Sequence, residues 1–123
     1  MSEQFGVPAQ SDSLPPLVYR RGMRQGARNA LRHWREHRPK MYTRLHNEGT
    51  LINAAIDAYE ATVDDEIELS NQLIKQGWDS PTAFVHARQI VRDRYVYLPT
   101  EEDVPELSTT ASGVYIYLSD QTG

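Results

Sequence analysis

Seven arginines lie between positions 20 and 38: Arg20, Arg21, Arg24, Arg28, Arg32, Arg35 and Arg38. Set at about 100° per residue on a helix over 19–37, they share an arc of about 120°. Like charges one turn apart repel, so a stripe this dense weakens the helix that carries it unless something opposite answers it. A guanidinium, unlike an ammonium, presents a planar fork that grips phosphate or carboxylate in a bidentate way. Lys40 and Arg44 continue the cationic run. This pattern is that of an electrostatic track for a nucleic-acid backbone. An acidic protein surface would satisfy the same chemistry. A solvated face, or contact between copies of the chain, would use the same residues structurally.

A second constellation, His33, Glu36 and His37, has the H-x-x-E-H spacing. Two histidines four apart on a helix share a face and can hold one metal ion, with the glutamate as base. Here Trp34 belongs to the apolar side of the same helix, and the surrounding arginines repel a cation. No further acidic ligand accompanies the pair, so neither a metal site nor a cofactor is expected. His46 and His86 stand alone. The chain has no cysteine, which removes thiol nucleophiles, disulfides and thiolate zinc sites and fits a reducing compartment, the cytoplasm being the expected location. No glycine-rich phosphate loop occurs. The expectation is a binding protein with no catalytic residues.

The 123 residues allow one domain with one modest core. Net charge is −4, but the sum hides a segregation. Residues 17–46 contain nine Lys/Arg and one acid, Glu36, for a local charge of +8; residues 47–74 contain seven acids and no base. Partners respond to such local fields more than to the total. No apolar run approaches the roughly 18 residues that a membrane span needs. The N-terminus has neither a basic start nor an apolar segment, so no signal peptide is expected.

The elements that must position these residues are helical. Residues 1–16, rich in Ser, Pro and Gln, read as a flexible leader. In the first helix Tyr19, Met23, Ala27, Ala30, Leu31 and Trp34 form the apolar arc beside the arginines. Gly22 and Gly26 each disfavour a helix interior by about 1 kcal/mol, so the helix either packs closely there or starts only near Gly26. Arg38 precedes Pro39 and breaks the helix. Pro39 suits the first position of a short second helix, which Gly49 ends. Thr50 is a candidate cap for a third helix over 51–76, with Ile52, Ile56, Tyr59, Val63, Ile67 and Ile74 as its apolar stripe and Gly77 as its stop. Asp57, Glu60, Asp64, Asp65 and Glu68 cluster away from that stripe. They would meet the arginines more readily across a homodimer than within one compact copy. Asp79, Ser80 and Pro81 signal the start of a fourth helix reaching about Tyr95, with Phe84, Ala87, Val91 and Tyr95 facing inward.

Beyond Pro99 the character changes. After an acidic stretch, Val114, Tyr115, Ile116, Tyr117 and Leu118 alternate with the period of two of a strand. A lone strand is unstable, so it must pair within the chain or add to a partner. The expected organisation is therefore a leader over 1–16, a helical domain over 17–98, and an acidic linker with a strand-like tail over 99–123. The fold class is all-α, a small bundle of about four helices.

Leu31, Arg32, Glu36, His37, Arg38, Tyr42, Leu45, Gly49 and Leu51, followed by Leu73, Ile74, Gln76, Ile90 and Val91, resemble the pattern of the transposon-encoded TnpV-like small proteins across residues 28–98. The resemblance brings no activity with it. It implies a mobile element, or a bacterial or phage nucleoprotein system, as the setting, and partners that handle nucleic acid. The expected function is that of a non-catalytic accessory protein binding nucleic acid or a nucleoprotein complex through the arginine stripe. The alternative is an adaptor or inhibitor, such as a phage-encoded antagonist, docking on a protein partner by its charged faces and the strand at 114–118.

Overall fold

The computed structural model describes residues 14–118. Most of the expected leader (1–13) and the end of the tail (119–123) lie outside the described residues. Four helices carry the fold: α1 (Gln25–His37), α2 (Pro39–Asn47), α3 (Leu51–Lys75) and α4 (Ser80–Val91). A two-stranded antiparallel ribbon, β1 (Ser108–Thr109) with β2 (Tyr115–Ile116), follows. The bundle is all-α apart from that ribbon.

The local signals act largely as the residue types dictate. Pro39 opens α2 at its first turn, where a missing N–H is harmless. Gly49 and Gly77 end α2 and α3 with φ of +77° and +105°, a region that side chains with a Cβ avoid. Asp79 caps α4, its carboxylate accepting from the backbone N–H of Thr82 at 3.0 Å. Thr50 does not cap α3; its hydroxyl donates back to the Leu45 carbonyl instead. The first helix starts at Gln25, not at Tyr19, because Gly22 turns the chain with φ +84°. The fourth ends at Val91, short of Tyr95, and the chain continues in turns.

Trp34, Leu31, Ala27 and Ala30 of α1 pack with Tyr42, Met41 and Leu45 of α2 and with the first half of α3. The indole N–H of Trp34 donates to the Val96 carbonyl at 3.0 Å, so its one polar atom is satisfied in the core. The seam between helices is built from small residues. Ala27 and Ala30 on α1, Ala55 and Ala58 on α3, and Ala83 and Ala87 on α4 are all buried. Gly26 lies against the ring of Tyr59 so closely that a Cβ there would overlap the ring.

This seam corrects the expected faces of α3 and α4. The buried line of α3 is Leu51, Ala55, Ala58, Ser70 and Leu73. Ile52, Ile56, Tyr59 and Val63 flank it, half-buried, while Ile67 and Ile74 are 48% and 41% exposed. Length is the reason. At 13 residues α1 spans about 20 Å, whereas α3, at 25 residues, spans about 38 Å. Beyond Val63 α1 no longer accompanies α3, which packs there against α4, folded back along it after Gly77, and against the turns that follow α4. On α4 the buried line is Ala83, Ala87 and Val91, leaving Phe84 43% exposed.

The acidic stretch after Pro99 is a brace. The Arg38 guanidinium, 2% exposed, donates to the carbonyls of Pro99 (2.7 Å), Val104 (2.8 Å) and Pro105 (3.2 Å). In return Glu101 accepts from the backbone N–H groups of Lys40 (3.0 Å) and Met41 (2.8 Å), which are the open donors at the start of α2. Tail and helices thus satisfy each other's unpaired backbone groups. The ribbon closes with Ser108 opposite Ile116 and Thr109 opposite Tyr115, so the tail strand finds its partner within the chain.

Replacing Arg38 by Met keeps the aliphatic stem and leaves three carbonyls without their donors. Urea unfolding should show a loss of about 3 kcal/mol. Glu101→Gln should lose less, because one amide oxygen can still accept. Equal stabilities for the wild type and Arg38→Met would show that the brace is dispensable.

Candidate anion-binding surface

The helix over 19–37 does not form as one rod, so the seven arginines do not share one arc. Arg20 and Arg21 lie in the chain before α1, and Arg24 occupies its N-cap position. Arg20 donates to the side-chain oxygen of Asn53 at 3.0 Å. Arg28 sits over the ring of Tyr19, 5.2 Å from its centroid, and Arg35 donates through Nε to the Pro15 carbonyl at 2.8 Å. Tyr42 helps to hold the same segment, its hydroxyl donating to the Pro16 carbonyl at 3.0 Å. Two members of the stripe therefore fasten residues 15–19 across α1.

Arg38 is the clearest departure from expectation. Its burial removes it from any surface, and both of its terminal nitrogens are engaged by the 99–105 brace, while its Nε–H is buried without a partner among the described residues. Burial pushes its pKa down, with Glu101 acting in the opposite sense. Arg44 is turned toward the ribbon, where it donates to the Tyr115 hydroxyl at 2.7 Å and overlies that ring at 5.6 Å. What remains open to a partner is a cationic surface made by Arg20, Arg21, Arg24, Arg32 and Lys40, bordered by Arg28 and Arg35. Among the described residues none of these forms an ion pair with a carboxylate. Among the described residues Arg32 reaches only the neutral side chain of Asn29.

The acidic set divides as well. Asp57, Glu60, Asp64 and Glu68 are exposed on the outer side of α3. Asp65, half-buried, stands apart from them, paired with Arg94 at 3.1 Å and accepting from the Tyr95 hydroxyl at 2.6 Å. Burial, with that bond second, pushes the Tyr95 pKa up to about 12. The two charged faces are not remote from one another. Arg24 lines one groove with Glu60 and Asp64, so they adjoin at that edge.

The tail residues proposed for a partner are mostly occupied. Val114, Tyr115, Ile116 and Tyr117 are half-buried against the core, and the Tyr117 N–H donates to the Arg94 carbonyl at 2.8 Å. Leu118 alone stands out.

The histidine pair serves packing. The rings of His33 and His37 lie against each other with centroids 4.4 Å apart and planes tilted by 38°, and Tyr97 meets His33 edge-on. The Nε2–H of His33 donates to the Leu98 carbonyl at 2.7 Å, which ties the ring to the segment after α4. No group of three or more His, Asp or Glu side chains placed to hold a metal ion occurs among the described residues.

A second basic group did not emerge from the sequence. Arg88 and Arg92, one turn apart on and just after α4, line a cleft with Glu66 and Tyr97. The four-residue spacing was visible; that α1, α3 and α4 leave a gap there was not. Comparisons with protein-family models, with curated proteins and with solved structures find no match.

Burial holds the His33 pKa below 6.5, outweighing its bond to Leu98. The unfolded chain therefore binds this proton more readily than the folded one. The neutral ring's contribution is complete above pH 6.5 and is lost as pH falls toward the folded-state pKa. His33→Gln can keep the donor to Leu98 but does not titrate. Urea unfolding at pH 8 and at about pH 5 should show the wild type losing stability relative to His33→Gln on acidification. A difference that stays constant across this range would remove the histidine from the pH response.

Proposed function

We propose that this chain is a non-catalytic accessory protein that binds nucleic acid, or a nucleoprotein complex, through the cationic surface of Arg20, Arg21, Arg24 and Arg32 with Lys40. One observation carries the reading: these side chains are exposed and none is neutralised by a carboxylate among the described residues. Arginines needed only for folding would resemble Arg38, with every reachable carbonyl engaged. The flanking Arg28 and Arg35, held by Tyr19 and Pro15, give the surface a fixed edge. No base-reading element accompanies the charge, so the expected binding is to backbone phosphates, with little sequence preference. The setting we infer, a mobile element or a phage or bacterial neighbour of one, rests on the resemblance to TnpV-like proteins alone. Action in the cytoplasm is consistent with the absence of cysteine. No helix among the described residues is long and apolar enough to cross a membrane.

A second reading, a protein-binding adaptor or inhibitor, has its own support. Ile67, Ile74, Trp78, Phe84 and Val85 stand exposed on the α3–α4 hairpin beside the acidic face. Apolar side chains gathered in this way serve protein contacts more often than phosphate contacts. The adjoining basic and acidic faces would also allow two copies to associate.

Fluorescence anisotropy with a labelled duplex and a labelled single strand, across a salt series, separates these readings. Phosphate binding predicts affinity that falls with salt, with a log–log slope of about −3 or steeper if three or more contacts form. Arg21→Glu, Arg24→Glu and Arg32→Glu together should remove it while leaving the fold intact, since none of the three is buried. Absence of binding to either strand at low salt would overturn the nucleic-acid reading. Ile74→Ser would then be the variant to test for loss of a protein contact, and sedimentation of the wild type would detect a homodimer.

A further inference from the structure

Between the start of α1, the middle of α3 and the end of α4 lies a cleft of about 490 Å³. Its size falls within the range of small-molecule sites, roughly 300–1,000 Å³. Its walls are Tyr59, Thr62 and Glu66 from α3, Val85, Arg88, Gln89 and Arg92 from the α4 side, and Val96 and Tyr97 from the chain beyond. Gly26 lets the Tyr59 ring lie close against α1 at one end. Arg92 overlies the Tyr97 ring at 5.3 Å, and its one carboxylate neighbour among the described residues is the adjacent Asp93, at 3.9 Å.

Arg88 and Arg92 are exposed at the mouth of this cleft, whereas Glu66 is half-buried in it. Glu66 is half-buried and feels the attraction of Arg88, yet it forms neither an ion pair nor a hydrogen bond among the described residues. Loss of water raises its pKa more than Arg88 lowers it. A partly desolvated carboxyl that shares a cleft with a guanidinium but makes no bond to it keeps its oxygens free to accept from a ligand's donor. A bound molecule could engage both groups at once.

We propose that this cleft binds a small organic anion with an apolar body and a hydrogen-bond donor. Its anionic group lies between Arg88 and Arg92, its donor on the Glu66 carboxyl, and its body against Val85, Val96 and the two tyrosine rings. The site is separate from the surface of Arg21, Arg24 and Arg32, so either can fail without the other.

Anilinonaphthalene sulfonate carries all three features: a sulfonate, an anilino N–H and two aromatic systems. The full chain is titrated with it and followed by amide NMR shifts, which also report that each variant is folded. Saturable one-to-one binding is expected, with the shifts centred on Gly26, Thr62, Val85, Gln89 and Tyr97. Arg88→Gln with Arg92→Gln should weaken binding by about tenfold or more. Thr62→Trp should fill the cleft and block the probe, whereas Ile74→Ser, outside it, should leave the affinity unchanged. Shifts centred on Ile67, Ile74 and Trp78, or equal binding by the double arginine variant, would overturn the proposal, as would the lack of saturable binding.

Discussion

Arg38 sits where three parts of the chain meet: the end of α1, the start of α2 and the segment 99–105. Its guanidinium answers carbonyls that have no helix or sheet to receive them, while Glu101 answers the N–H groups at the mouth of α2. Neither half works alone. A buried guanidinium without acceptors is expensive, and so is a buried turn without donors. Together they fix the angle between α1 and α2 and bring the C-terminal segment back over the core. The placement of Tyr95, Val96 and Leu98 beneath Trp34 depends on that return.

With this corner set, the helices pack through alanine. A seam of Ala27, Ala30, Ala55, Ala58, Ala83 and Ala87 allows close backbone approach, with Gly26 as its tightest point. Large residues then sit at the margins, some covered and some not. The distal half of α3 lies beyond the reach of α1, which is why Ile67 and Ile74 meet solvent although they lie on the same line as the half-buried Ile56. Exposure along this stripe reports the length of α1, not the hydrophobicity of α3.

The charges follow the same geometry. Of seven arginines that appear equivalent by spacing, one is buried, two hold the segment before α1, one leans on Asn53, and Arg21, Arg24 and Arg32 are left free of such packing roles. Asp65, grouped with the acidic face by its position in sequence, turns out to belong to Arg94 and Tyr95. Charge segregation remains, but its exposed basic part is smaller and lies partly outside the helix. Arg88 and Arg92 acquire a common setting only because α1 ends its approach at Gly26 and leaves a gap beside Tyr59.

The sequence by itself determined the number of helices, most of their ends and the all-α class. These depend on local chemistry: Pro39 lacks an N–H, Gly49 and Gly77 tolerate positive φ, and Asp79 offers an acceptor to its own helix. It also determined that Trp34 faces inward and that the tail at 114–118 needed a strand partner. Tertiary structure decided which of several possible faces is covered, because that depends on where neighbouring helices stop and how near they come. It decided as well that Arg38 is a structural brace while Arg32 remains open. The acceptors that distinguish the two lie more than sixty residues away, and no helical period reaches that far.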